Sequence, residues 1–265
     1  MPEPRKRRVS AGAPEARANF RHELRDFFRF ILRPRFAPRL PGRLADSGWR
    51  SDWFSGAPLG RLLKWAAFLW SINLVVLGPI AVAAAGAGGA THRLDIYNMP
   101  WLQALIWAPI MEELVFRYSL RRLTQAWWLA PMAVGAMILG PKWPGILLAG
   151  AAVALCWLPM LVGGPPGQRP LPWRWRLRYR RLFPWVFHAT CLTFAAVHLY
   201  NFNLHHTPLW LLPLLVLPQW LTGMVLAWLR MKRGIGASML LHGLFNGGPL
   251  LVVWLVLRTV PDVLS

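Results

Sequence analysis

Between residues 62 and 257 the chain alternates long apolar stretches with short gaps that carry arginine and lysine. The stretches fall near 62–85, 101–122, 126–140, 144–163, 183–203, 208–229 and 235–257. A helix needs about 20 apolar residues to cross a bilayer, and repeated runs of this length leave few folds other than an all-α, polytopic transmembrane bundle. The expected architecture is about seven or eight helices, with the third stretch short enough to be tilted or re-entrant. Hydrophobic residues make up 55% of the 265, and 17 tryptophans are among them, a composition outside the range of ordinary soluble domains. Trp101, Trp127, Trp128, Trp185, Tyr200 and Trp210 lie at segment ends, where an interfacial aromatic belt belongs.

The net charge of +20 would also suit a nucleic-acid binder, but its distribution argues for membrane topology. About half of the basic residues precede Leu62, and most others sit in gaps between apolar runs. With a cytoplasmic N-terminus, only Arg93, Lys142 and Arg258 fall outside, and the positive-inside rule selects that orientation. No nucleic-acid module is recognisable, so no nucleic-acid partner is expected. The first fifty residues contain no apolar segment of the kind that makes a cleavable signal, so the first span is expected to act as its own insertion signal. Cys156 and Cys191 both lie in apolar segments, and neither their number nor their spacing describes a disulfide framework.

The chain divides into two regions. Residues 1–58 form a basic cytoplasmic arm, with disorder expected over 1–18. From 19 to 32, Phe20, Leu24, Phe27, Phe28 and Ile31 recur at helical spacing among Arg21, Arg25 and Arg29. That pattern predicts a basic amphipathic helix on the inner membrane face, with anionic lipid as its partner. Pro34, Pro38 and Pro41 end it. Residues 59–265 form the membrane domain. Its arginine-, alanine- and glycine-rich composition points to a bacterial source, hence a multi-pass protein of the inner membrane.

Within the membrane domain, carboxylates enter an apolar stretch once, as Glu112 and Glu113. Eight of the ten acidic residues fall in expected loops or tails. Adjacent acids in hydrocarbon are costly and point to a functional site. Glu113 and Arg117 are four apart, in the favourable orientation for a helical ion pair, and Glu112 points about 100° away from Glu113. Two later stretches bring Phe194 with His198, and His242 with Asn246, each pair again four apart and on one helical face. Gly243, Gly247 and Gly248 permit close approach beside the second pair. Counting along spans, His198 falls nearer the outer end of its helix than Glu112 and His242 do, an offset of ~10 Å at about 1.5 Å per residue.

The ordered triple EELVFR, FAAVH and HGLFN, spread over residues 101–258, resembles the CPBP family of CAAX prenyl endopeptidases and bacteriocin-processing (Abi-type) membrane proteins. The resemblance implies an intramembrane endopeptidase acting on a peptide or membrane-protein substrate. In that reading Glu112 activates water, His198 orients it, His242 and Asn246 stabilise the oxyanion, and Glu113, Arg117 and Phe194 support them. No His-Glu-x-x-His motif is present, and a metal-free glutamate mechanism is the favoured expectation. Zinc held by Glu112, His198 and His242 is the alternative, as a His₂Glu site with an open position. Two other functions fit the same residues: a non-catalytic, immunity-type binder of a membrane partner, and a proton- or cation-coupled carrier.

Overall fold

The structure is a computed structural model that describes residues 19–36, 50–54, 57–95, 98–161 and 172–259. The tail 1–18, Pro38, Pro41 and Arg169 lie outside them. Helix α1 (Phe20–Leu32) is followed by the single turn α2 (Arg50–Trp53). The first long helix runs from Leu59 to Gly88, as α3 (Leu59–Ile72), a π turn (Asn73–Leu77) and α4 (Gly78–Gly88). A second π turn (Gln103–Trp107) leads into α5 (Ala108–Phe116). Next come helices α6 (Leu123–Leu139), α7 (Trp143–Leu161) and α8 (Trp173–Val197). The short α9 (Leu212–Leu215), α10 (Leu217–Arg233) and α11 (Ile235–Thr259) complete the bundle. Among the described residues, each apolar stretch read from the sequence is mainly helical.

Among the described residues, three helices are long and apolar enough to cross a membrane: Leu59–Gly88, Trp173–Asn201 and Ile235–Thr259. The segments Leu209–Leu215 and Leu217–Arg233, bent by 49° at their junction, form a fourth if taken as one span. Outward-facing Leu74, Val75, Ile138, Trp185 and Val252 are exposed, as lipid-facing side chains are. Trp127, Trp185, Tyr200 and Trp210 of the expected belt are also exposed.

Two boundaries differ from the sequence reading. The stretch expected over 101–122 stops being α-helical at Phe116, where Arg117 leaves helical geometry and a 3-10 turn (Tyr118–Leu120) begins. Helix α8 starts at Trp173 rather than at 183. Its first turns, rich in arginine and tryptophan, carry no apolar signal yet continue the same helix.

Both π turns precede an X-Pro pair. Proline has no N–H, so the ordinary bond to the carbonyl four residues back cannot form, and the turn widens by one residue. Gly78 N–H instead reaches Asn73 O, and Ala108 N–H reaches Gln103 O. A Cβ at Gly78 would lie 2.5 Å from Asn73 O, so the first π turn requires glycine there.

The core forms around α10, whose residues 222–232 are all buried. One cluster joins Phe27 and Phe30 of α1, Trp65 and Leu69 of α3, Phe183 and Phe187 of α8, and Trp228 of α10. A second joins Met111 and Leu114 of α5 with Leu129 and Ala133 of α6 and Ala152 and Cys156 of α7. Cys191 belongs to the first cluster and Cys156 to the second. The predicted amphipathic helix therefore exists, but its buried face is turned to the bundle. Its exposed side carries Arg21, Arg25 and Arg29.

Three carboxylates counted with the loops and tails are held by partners, Glu23 and Asp26 within the helix expected over 19–32 and Asp52 within α2. Glu23 accepts from Trp65 Nε1 at 3.2 Å, pairs with Arg233, and lies 3.7 Å from Arg61 Nη1. Asp26 accepts from Trp228 Nε1 at 3.0 Å and pairs with Lys232 at 3.0 Å. Asp52 pairs with the fully buried Arg230 and lies 3.5 Å from Arg122 Nε. These partners come from other helices, so local sequence carries no sign of them.

Arg230 also donates from Nε to Arg117 O at 3.1 Å and from Nη2 to Tyr118 O at 3.2 Å, covering carbonyls at the end of α5. Arg121, just beyond α5, donates from Nε to Met231 O of α10 at 3.0 Å. Each helix thus supplies an arginine to the other's C-terminal carbonyls, where unsatisfied acceptors and the helix dipole favour a cation. Asp52→Ala is expected to leave Arg230 buried without its carboxylate, at a cost of roughly 3–5 kcal/mol. Thermal unfolding in detergent should show a large loss for that variant and a smaller one for Asp52→Asn, which keeps a hydrogen-bond acceptor.

Candidate active site

Glu113 is the centre of the site's scaffold. It is fully buried near the end of α5, and three side chains converge on it. Arg117 Nη1 donates to Oε1 at 2.6 Å, His242 Nδ1 lies 3.0 Å from the same oxygen, and Ser238 Oγ reaches Oε2. A carboxylate only accepts, so His242 Nδ1 carries a proton. Ser238 Oγ is also 3.0 Å from Leu226 O. Its single hydrogen goes to the stronger acceptor, the carboxylate.

Arg117 is buried by aromatic stacking as well as by its ion pair. Its Cζ lies 3.7 Å from the centroid of Phe194, a desolvated cation–π contact of about 2 kcal/mol. Gly223 of α10 makes room for it: a Cβ there would lie 3.0 Å from Phe194 Cδ1 and 3.5 Å from Arg117 Nη2. Phe194 also touches both histidines, with ring centroids at 4.5 Å from His198 and 5.9 Å from His242. Its carbonyl lies 2.8 Å from His198 Nδ1. A carbonyl cannot donate, so that nitrogen is protonated and the Nε2 lone pair of the neutral ring points the other way.

Both Nε2 atoms face Glu112. Its Oε2 lies 3.7 Å from His242 Nε2 and 4.0 Å from His198 Nε2, and it is buried without a hydrogen-bond partner. These separations exceed a direct hydrogen bond and suit one bridged through water. The offset in depth expected for His198 is absent. The level of His198 is set by where α8 meets α5, with Phe194 against Phe116 at 5.5 Å between ring centroids, and not by a count along its own span.

Asn246 lies one turn beyond His242, and its Nδ2 donates to Ala104 O in the second π turn at 3.0 Å. The neighbouring glycines explain the approach. A Cβ at Gly243 would lie 2.8 Å from Leu105 O, and one at Gly248 would lie 2.2 Å from the Trp70 ring. Trp70 Nε1 in turn donates to Phe245 O at 3.0 Å. The room anticipated beside His242 is filled here by α3 and the π turn.

Six of the seven residues singled out by sequence are thus joined by contacts: Glu112, Glu113 and Arg117 from α5 and the residue after it, Phe194 and His198 from α8 and the turn after it, and His242 from α11; Asn246, one turn beyond His242, is bonded to Ala104 O. Ser238 was not among them, although Ser238, His242 and Asn246 keep a strict four-residue spacing that marks one helical face. Among the described residues, no group of three or more His, Cys, Asp and Glu side chains is arranged to hold a metal ion. The Glu112–histidine gaps are wider than the edge of about 3.3 Å that bonds of about 2.0 Å give a tetrahedral zinc shell.

Two substitutions test this geometry. Phe194→Leu keeps an apolar side chain but removes the face beneath Arg117, and is expected to lower stability by about 1–2 kcal/mol. Gly243→Ala places a methyl against Leu105 O and should lower the unfolding temperature, by a displacement of α11 that Gly247→Ala, with 3.5 Å of clearance, does not cause.

Residues 167–248 match the model of the Rce1-like family, described as type II CAAX prenyl endopeptidase Rce1-like. This agrees with the family that the three motifs resemble, and it implies a protease embedded in the membrane. The matched stretch contains Phe194, His198, His242 and Asn246, while Glu112, Glu113 and Arg117 precede it and join it through the fold. No curated protein and no solved structure matches the chain.

Proposed function

From this Rce1-like endopeptidase domain at residues 167–248 we propose that the chain hydrolyses a peptide bond at the membrane by a glutamate-activated water. The observation that carries the proposal is the buried, unpartnered Oε2 of Glu112, faced by two imidazole Nε2 atoms at 3.7 and 4.0 Å. Two protonated Nδ1 atoms hold those rings in place, on Glu113 and on the Phe194 carbonyl.

A water between Glu112 and His198 donates one hydrogen to the carboxylate and the other to the Nε2 lone pair, which leaves an oxygen lone pair for attack on the scissile carbonyl. Glu112 takes the proton as the carbon–oxygen bond forms, then delivers it to the leaving nitrogen as the carbon–nitrogen bond breaks. His242 is already aligned by Glu113 and, when protonated on Nε2, donates to the developing oxyanion. In a water-poor site such a donor has a large effect on rate. No step requires a metal. The substrate class that the family name suggests is a CAAX-type C-terminus, presented from the bilayer beside leader peptides and membrane-protein segments as competitors. A bacterial inner-membrane location, and contact of the arginine face of α1 with anionic lipid, belong to the same proposal.

The test is cleavage of prenylated CAAX peptides, their unprenylated forms and leader peptides by purified protein in detergent. Glu112→Gln keeps the shape and removes the base, and is expected to lower kcat by a factor on the order of 10³ or more while leaving folding intact. A strong chelator should leave the wild type active. Cleavage by Glu112→Gln at the wild-type rate would exclude this role. Loss of wild-type activity on chelation that zinc restores would replace the mechanism with a metal-dependent one.

A further inference from the structure

The donor that Asn246 gives to Ala104 has an origin in the covalent chain. In the π turn Gln103–Trp107, bonds run from a residue's N–H to the carbonyl five positions back, and Ala108 N–H is committed to Gln103 O. The residue five positions after Ala104 is Pro109, which has no N–H. Ala104 O is therefore left without a donor from its own helix. Inside a membrane protein no bulk water replaces it, and an unsatisfied carbonyl is costly. Asn246 Nδ2 fills this vacancy at 3.0 Å. Gly243 brings the backbone of α11 close enough to do so, with its Cα hydrogen directed at Leu105 O in the same turn.

A π turn inserts one residue into a helix and so rotates the next segment by about 100° relative to an uninterrupted helix. Here that segment is α5, with Glu112 directed at the two histidines and Glu113 at Arg117, Ser238 and His242. We infer that Asn246 is a positioning residue: its carboxamide replaces the main-chain donor that Pro109 removes, and thereby holds the π turn whose phase aims the paired glutamates. One amide hydrogen of Asn246 is engaged on Ala104; the carboxamide carries a second, so the positioning role stands beside any other that the residue has. The inference extends the catalytic reading only in its activity arm. Its stability arm is independent of any reaction.

The experiment is a double-mutant cycle between positions 109 and 246, read by unfolding temperature and by cleavage rate in detergent. Asn246→Ala is expected to lower both in the wild-type background. Pro109→Ala restores a backbone N–H, so adding Asn246→Ala to it should cause little further loss of either. Equal losses from Asn246→Ala in both backgrounds would overturn the inference. So would a loss of cleavage without any loss of stability, which places the amide at the reacting atoms. Asn246→Asp decides the matter if Pro109→Ala does not fold. Its carboxylate faces a carbonyl at neutral pH, but its protonated form can donate to Ala104 O. Its unfolding temperature, relative to wild type, should therefore rise on acidification, and no such rise would sink the assignment. Failure of the catalytic reading would be seen separately, as full activity in Glu112→Gln with the stability coupling intact.

Discussion

The burial of one carboxylate organises the site. Glu113 is placed where water cannot solvate it, and an unpaired charge there would cost several kcal/mol. Its neutralisation draws Arg117, Ser238 and His242 to one point, so a single anion fixes α5 against α11. Through Arg117 the constraint passes to Phe194, because the guanidinium is covered by that ring. Through Phe194 it passes to His198, whose Nδ1 is held by the same residue's carbonyl. The geometry around Glu112 is thus a by-product of how its neighbour is made tolerable in the core.

Prolines provide the second organising element. Pro79 and Pro109 each delete a helical hydrogen bond and convert the preceding turn to π geometry. In the Leu59–Gly88 helix the widened turn is accommodated by a glycine at 78. Ahead of α5 it presents the Ala104 and Leu105 carbonyls to α11, where Asn246 and Gly243 meet them. An irregularity in one helix and a glycine–asparagine pair on another are then two halves of one contact.

At the end of the bundle where α5 and α10 terminate, basic residues have structural roles that a charge count does not reveal. Arg230 and Arg121 exchange caps between α5 and α10. Asp52, Glu23 and Asp26 then neutralise the basic residues that this arrangement buries or half-buries. Helix α1 belongs to the bundle through these pairs and through Phe27 and Phe30. Its exposed arginines remain free to face a membrane surface, as its amphipathic pattern suggests.

Sequence alone determined the helical class and the positions of the apolar segments, and it singled out the seven residues proposed for the site. Each of these depends on local periodicity: apolar runs of spanning length, and polar residues spaced by four along one face. The same spacing contained Ser238, but a lone serine in an apolar helix has too many ordinary roles to stand out. Tertiary structure decided which nitrogen of each histidine faces Glu112, that Phe194 covers Arg117, and that Asn246 bonds a carbonyl orphaned by a proline 137 positions earlier. It also decided that Glu23, Asp26 and Asp52 are held by partners. Their partners lie tens of residues away or further, and charge pairing at that range leaves no periodic trace in a single chain. Periodicity records which face of a helix is used; only packing determines what that face meets.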